Sequence, residues 1–233
     1  MEWTKAAIRE AMRARRRALR PVDLASAETA VAARVLQLPA WGACAALIAY
    51  VPTDHEVPTG ALLDAAHAAG KRLFLPRLDG DRMISPAHPL GAALRPGAFG
   101  IPQPTGDSCT ARDLAESLAV LPLLAWDDAG GRVGRGGGHY DRACAGARRP
   151  RWLVGLGYAF QQVPRVPADP WDLRLDGVVT EDQAVTCWTG DDASPLRKEV
   201  EPHHEQQSTV DSRQPGAGGR PGLPAGRFSA PAS

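Results

Sequence analysis

Short apolar segments alternate with segments of helical composition along most of the chain, and this alternation limits the fold more than any other feature. Strands are predicted at 46–51, 72–76, 81–85, 118–124, 152–158 and 176–181, and helices at 4–19, 24–37, 60–69 and 139–147. Asp23 is expected to cap the second helix and Pro39 to end it, while Gly70 ends the third helix before the next strand. We therefore predict an α/β fold, a three-layer αβα domain with a largely parallel sheet.

The last part of the chain differs in composition from the rest. The whole sequence of 233 residues is 44% hydrophobic and 23% charged, which is typical of a globular protein. From Asp191 onward, however, large apolar residues are few among many glycines, prolines and serines. We predict a working domain at 1–189 and a disordered tail at 190–233, in which the His203–His204 pair is solvated rather than metal-bound.

The net charge and the spacing of the cysteines limit which binding partners and which cellular compartment are expected. The net charge of +1 gives no reason to expect nucleic acid as a partner. No apolar run approaches the roughly 18 residues of a membrane span, and the basic N-terminal segment does not resemble a secretion signal. The four cysteines lie far apart without a Cys-x-x-Cys pair, which argues against a zinc ribbon or a dense disulfide scaffold. We expect a cytoplasmic protein without a membrane partner.

The segment "GRVGRGGGHYDR" at 131–142 contains five glycines and two arginines within its first eight residues. It lacks the Lys-Ser/Thr ending of a Walker A loop, and His139 occupies a position where a dinucleotide fingerprint needs glycine or alanine. Glycines without a Cβ allow successive backbone N–H groups to converge on an anion, and Arg132 and Arg135 add positive charge. A phosphate site is therefore favoured over a flexible turn without a ligand. Beside bound phosphates, Asp141 is a candidate magnesium ligand.

The first predicted helix carries basic residues on one face. They recur at spacings of three or four residues: Lys5, Arg9, Arg13, Arg16 and Arg20. Such a stripe can be a solvated helix face, or it can grip RNA or another polyanion. Polyanion binding is disfavoured because only Trp3 supplies an aromatic ring near the stripe.

The run "LPLLAWDDAGGRVGRGGGHYDR" resembles the signature of the 5-formyltetrahydrofolate cyclo-ligase family. Segments similar to the same family occur in the family's order, and they include "YVPTDHEVPT" at 50–59, "LPRL" at 75–78, "FGIPQP" at 99–104 and "DLRLDGVVTE" at 172–181. The resemblance covers about 5–181. It implies ATP-driven closure of 5-formyltetrahydrofolate to 5,10-methenyltetrahydrofolate with Mg²⁺, releasing ADP and phosphate, by a protein that is usually a monomer.

The resemblance also implies three groups of site residues. The ATP contacts are Lys5, Arg9, Arg132, Val133, Gly134, Arg135, Gly136, Gly137, Gly138, His139 and Tyr140. The folate contacts are Val51, Glu56, Arg135, Gly136, Gly137, Gly138 and His139. The magnesium ligands are Asp141 and Asp172, although Asp169 or Asp176 could take the place of Asp172.

Several side chains have alternative interpretations. Arg13 and Arg16 are expected to remain surface charges. Glu56 could bind substrate or only hydrogen-bond its own loop, and Tyr140 and Trp126 could lie in the core or stack on a substrate ring.

The glycine segment departs from the family pattern at two positions. Val133 replaces the usual leucine, and His139 stands where an aromatic residue often precedes Tyr140. Another ligand chemistry on the same scaffold is the alternative function, which the presence of Glu56 disfavours.

Overall fold

The computed structural model of the protein describes residues 4–187. The tail predicted at 190–233, including His203 and His204, lies outside the described residues. The helices are α1 Lys5–Arg17, α2 Pro21–Gln37, α3 Pro39–Ala43, α4 Gly60–Ala68, α5 Ala111–Ala115 and α6 His139–Ala143. The strands are β1 Ala46–Ile48, β2 Arg72–Phe74, β3 Arg77–Asp79, β4 Arg82–Ile84, β5 Arg95–Pro96, β6 Pro102–Gln103, β7 Ser117–Pro122, β8 Ala125–Trp126, β9 Arg132–Val133, β10 Trp152–Leu156, β11 Gly177–Val179 and β12 Ala184–Thr186.

Six strands form the main sheet in the order β12-β11-β10-β7-β1-β2. Neighbouring strands are parallel except at the β11–β12 edge, where pairing is antiparallel. β1, α4 and β2 form the predicted strand–helix–strand unit. The segment predicted as a strand at 81–85 contains β4, which pairs with β3 in a separate antiparallel hairpin. The predicted α/β fold with a largely parallel sheet is confirmed.

Both faces of the main sheet are buried because side chains alternate along each strand. In β7, Leu118 and Val120 face the core formed with α2 and α4, whereas Ala119 and Leu121 face a second core that contains Trp126. Helices α2 and α4 cover the first face, and the short helices α5 and α6 pack on the second face through Leu114, Tyr140 and Ala143. None of the helices within residues 4–187 is long and apolar enough to cross a membrane.

Two prolines begin helices. α2 begins at Pro21, and Asp23 lies three residues after the N-cap Arg20, whose N–H donates to the Asp23 carboxylate at 2.9 Å. The prediction that Asp23 is the N-cap is therefore wrong, since the N-cap is Arg20, three residues earlier. Pro39 follows the end of α2 as predicted, but it also begins α3, since the fixed φ of proline suits the first helical position.

A short hairpin, β8–β9, carries the start of the glycine segment, since β9 is Arg132–Val133. The buried carboxylate of Asp127 holds its turn by accepting the N–H groups of Ala129 at 3.0 Å, Gly131 at 2.8 Å and Val166 at 2.8 Å. Ile8 of α1 packs against this hairpin in a small apolar cluster. The hairpin therefore carries the glycine segment to the side of α1.

Candidate active site

A cleft of about 1140 Å³ opens at the carboxyl ends of the central strands. It lies beside β1 and β7, between which the strand order of the sheet reverses, and ligands of open α/β sheets bind at such points. Every residue assigned to the site by sequence lines this cleft: Lys5, Arg9, Val51, Glu56, Arg132, Val133, Gly134, Arg135, Gly136, Gly137, Gly138, His139, Tyr140, Asp141 and Asp172. Residues far apart in sequence thus share one concave surface.

The glycine segment adopts backbone angles that favour glycine. Gly136 has a φ of 107° and Gly138 a φ of 63°. At Gly137, an added Cβ would lie 2.8 Å from the His139 ring. Helix α6 begins within the segment at His139 and ends at Ala143 rather than near the predicted residue 147. Because only five residues align their peptide dipoles, the macrodipole of this helix is weak. Positive charge at the segment must therefore come mainly from basic side chains.

Helix α1 contacts the glycine segment through its basic face. Nε of Arg9 donates to the carbonyl oxygen of Gly134 at 2.9 Å, and Nη2 of Arg13 donates to that of Arg135 at 3.3 Å. Arg13, which was expected to remain a surface charge, is half-buried and bonded to the segment rather than free in solvent. These bonds hold the helix and the segment together along one wall of the cleft.

Two carboxylates share the ammonium group of Lys5. Nζ of Lys5 lies 2.6 Å from Oδ2 of Asp169 and 2.5 Å from Oδ2 of Asp172. Burial lowers the pKa of Lys5, but the hydrogen bonds that its ammonium group donates to Asp169 and Asp172 outweigh burial and raise that pKa. Burial alone would raise the pKa of Asp172. The hydrogen bonds that its carboxylate accepts from Lys5 and from the Asp169 N–H have the larger effect, so its pKa is lowered. Both shifts favour the charged forms of Lys5 and Asp172.

The carboxylate of Asp141 is held in a similar way. Its Oδ1 accepts Nη2 of Arg132 at 2.7 Å and the Leu173 N–H at 3.0 Å. Within residues 4–187, the hydrogen bonds found use one oxygen each of Asp141 and Asp172, which leaves the second oxygen of each for a ligand. Mg²⁺ binds through one or two carboxylates together with substrate phosphates and water, so this donor set fits it.

Asp176, the other alternative, points elsewhere. Its two oxygens accept Nη2 of Arg149 at 2.8 Å and the Leu153 N–H at 2.7 Å. It is not among the residues that line the cleft, whereas Asp169 is.

Glu56 combines both interpretations left open by the sequence. Its Oε2 accepts the Thr53 N–H at 3.0 Å and the Thr53 hydroxyl at 3.4 Å, so it does bond its own loop, and it also lines the cleft. Burial raises the pKa of the Glu56 carboxyl, opposed by the Thr53 bonds and by the charges of Arg16 and Arg135. Nη1 of Arg135 donates to Oγ1 of Thr53 at 2.7 Å, which joins the glycine segment to this loop.

Arg16 is buried, so the prediction that it remains a surface charge is wrong. Its side chain is 1% exposed, and Nη2 lies 2.6 Å from Oδ2 of Asp54. Its Nη1 lies 3.9 Å from Oε1 of Glu56. The loop after β1 covers the last turn of α1, and no spacing within the basic stripe distinguishes this arginine from its exposed neighbours.

The aromatic residues divide between core and cleft. Trp126 is fully buried in the core, whereas Tyr140 is half-buried and lines the cleft. Sequence reasoning missed three further aromatic residues of the cleft, namely Tyr50, Phe99 and Trp171. Phe99 and Trp171 are 82% and 73% exposed, so their rings are accessible to a ligand.

Comparisons with known proteins show what this chain is similar to. The family model of the 5-formyltetrahydrofolate cyclo-ligase family matches residues 2–181. The chain is 30% identical over 175 residues to the 5-formyltetrahydrofolate cyclo-ligase of Escherichia coli K12, covering 72% of this chain and 96% of that protein.

Two solved structures share the fold. One is the NMR structure of the 5,10-methenyltetrahydrofolate synthetase of Aquifex aeolicus, at 28% identity and a TM-score of 0.69, covering 87% of this chain and 98% of the other. The other is a 5,10-methenyltetrahydrofolate synthetase from Mycoplasma pneumoniae, at 21% identity and a TM-score of 0.62, covering 77% and 99%. The second likeness is one of fold alone.

Proposed function

The chain belongs to the 5-formyltetrahydrofolate cyclo-ligase family, and from that premise we propose how its cleft performs the reaction. The protein is an ATP-dependent ligase that converts 5-formyltetrahydrofolate to methenyltetrahydrofolate. One observation carries the proposal: the glycine segment, the basic residues of α1 and Glu56 all line the same cleft. Two substrates bound to these groups would have their reacting atoms side by side.

ATP binds along the wall formed by α1 and the glycine segment. Its phosphates contact the backbone N–H groups of 134–138 and the side chains of Lys5, Arg9 and Arg132. The glycine backbone, which has no Cβ to obstruct it, and the clustered positive charge support this placement. Arg9 already bonds the segment at Gly134, so its guanidinium is held in place before ATP arrives. Preorganised charge of this kind lowers the cost of binding a phosphate group.

The pterin ring of 5-formyltetrahydrofolate binds beside the end of β1. Val51 contacts the ring, and the Glu56 carboxylate accepts hydrogen bonds from its N–H donors. The glycine segment from Arg135 to His139 contacts the same substrate from the opposite side. This arrangement directs the formyl group towards the phosphates of ATP.

The chemistry needs two steps. The formyl oxygen attacks the γ-phosphoryl group and ADP leaves with the electrons of the broken P–O bond. Nitrogen 10 then attacks the activated carbon and loses its proton, and phosphate leaves with the C–O bonding electrons to give 5,10-methenyltetrahydrofolate. Positioning and charge neutralisation dominate such phosphoryl transfers, which suits a site rich in arginine and glycine.

Asp141 and Asp172 would hold a magnesium ion. Bound there, Mg²⁺ would neutralise charge on the phosphates of ATP. The Arg132–Asp141 and Lys5–Asp172 pairs fix both carboxylates at the cleft wall, which supports this assignment. We further propose that residues 1–189 form the catalytic domain, and that the protein is a monomer in the cytoplasm.

The first test follows the absorbance of methenyltetrahydrofolate when the purified protein is mixed with 5-formyltetrahydrofolate, ATP and Mg²⁺. Asp141→Ala should abolish the signal, whereas Asp64→Ala, at an exposed position of α4, should leave it unchanged. A folded wild-type protein that binds ATP but forms no product would refute the folate reaction. The alternative of another substrate on this scaffold would then be favoured.

A further inference from the structure

The guanidinium of Arg16 is buried at the last turn of α1, beneath the loop that carries Glu56. Its side chain is 1% exposed, and it forms an ion pair of 2.6 Å with Asp54. Its other terminal nitrogen, Nη1, lies 3.9 Å from Oε1 of Glu56. Because removing a charge from water is costly, a buried arginine persists only where fixed partners compensate for its lost hydration.

The loop above Arg16 adopts an unfavourable backbone conformation. Asp54 and His55 have φ values of 50° and 54°, in the left-handed region that residues other than glycine seldom adopt. The backbone oxygen of Arg16 lies 2.9 Å from Nδ1 of His55, and the Tyr158 hydroxyl donates to the His55 carbonyl at 3.1 Å. Arg16 therefore holds both strained residues, Asp54 by its side chain and His55 by its backbone.

We propose that Arg16 is a positioning residue for folate, which holds the Asp54–His55 turn so that the Glu56 carboxylate meets the pterin ring. The inference rests on the proposed function, since it takes Glu56 as the folate contact. Arg16 is not among the residues that line the cleft, so it acts through Glu56 rather than on the substrate. Lys5 and Arg9 lie on the same helix, so one rigid element carries the ATP contacts and supports the folate loop.

The geometry distinguishes Arg16 from its neighbour Arg17. Arg17 lies 3.9 Å from the same Asp54 carboxylate, but its side chain is 69% exposed. An exposed ion pair adds little to the free energy that holds a loop in place, whereas removing one partner of a buried hydrogen bond between charged groups costs much more. Arg17→Gln is therefore a matched control that removes the same charge from the same helix turn.

The experiment measures KM for each substrate and kcat in Arg16→Gln, Asp54→Asn and Arg17→Gln. Loss of a charged hydrogen bond predicts that Arg16→Gln raises KM for 5-formyltetrahydrofolate about tenfold or more. KM for ATP should change less than about twofold, because the ATP contacts lie at the other end of α1. Asp54→Asn should act in the same direction, and Arg17→Gln should change neither constant.

Thermal melting shows which variants fold, and Asp54→Asn and Arg16→Lys carry the test if Arg16→Gln does not fold. A folded Arg16→Gln or Asp54→Asn with unchanged KM for folate, or with equal increases in both KM values, would overturn the positioning role. Glu56→Gln separates the two proposals. If Glu56→Gln raises KM for folate and the Arg16 variants do not, only the positioning role fails. If Glu56→Gln leaves that KM unchanged, the folate assignment itself fails.

Discussion

Replacing Gly136 with alanine tests whether the glycine segment binds phosphate. Gly136 has a φ of 107°, outside the range that residues with a Cβ readily adopt. The nearest side chain to an added Cβ is Arg9, whose guanidinium atoms lie at 3.6–3.8 Å, an ordinary contact distance. The cost therefore comes from the backbone and is about 1–2 kcal/mol or more. For a chain of this size, each 1 kcal/mol lowers the melting temperature by about 2–4 °C.

Gly70→Ala is the matched control for backbone strain. Gly70 follows the end of α4 with a φ of 66°, and an added Cβ there meets nothing within 4 Å among the described residues. Both variants should lose similar stability, but only Gly136→Ala alters the wall of the cleft. Losing one backbone hydrogen bond to a phosphate oxygen costs about 1.5–3 kcal/mol, which weakens ATP binding by a factor of about ten to a hundred.

The assay compares the two variants by thermal melting and by KM for ATP in the methenyltetrahydrofolate absorbance assay. We expect lower melting temperatures in both and a raised KM for ATP in Gly136→Ala alone. If Gly136→Ala melted lower yet kept the wild-type KM, the segment would not bind phosphate through its backbone. If neither variant lost stability, the argument from φ would be wrong.

Three further predictions concern single groups. Burial raises the pKa of the Glu56 carboxyl, so this group should become protonated at a higher pH than an ordinary glutamate. Affinity for 5-formyltetrahydrofolate should therefore decrease as the pH falls through that raised pKa. KM measured across pH tests this, and Glu56→Gln should abolish the pH dependence. Asp127→Ala leaves three backbone N–H groups without their acceptor, so urea unfolding should show a loss of about 1–3 kcal/mol or more, with Asp64→Ala as the unaffected control. Burial raises the pKa of Cys144 to about 11 and that of Cys187 to about 12, so peptide mass spectrometry should find neither labelled by iodoacetamide in the folded protein at mildly alkaline pH.

Much of the fold follows from local sequence patterns. Apolar runs such as 118–124 are buried on both faces and become parallel strands, because only a central strand can bury a continuous apolar segment. Gly70 ends α4 at a positive φ, as a helix-ending glycine does. The cleft residues were predicted from the resemblance to a family signature, because residues that meet only in the folded protein belong to the same signature. Local spacing alone would predict a phosphate loop but no folate site.

The sequence by itself therefore determined the αβα layering, the glycine segment and the one-sided basic face of α1, since each depends on residues close together in the chain. Only the tertiary structure decided how charges on that face are used. Arg13 bonds the glycine segment, whereas Arg16 is buried beneath Asp54, although both belong to the same stripe. The spacing of a helix places side chains on one face, but burial depends on which distant loop packs over it. Here α1 packs on the β8–β9 hairpin, outside the six-stranded sheet, and the loop after β1 lies over its last turn.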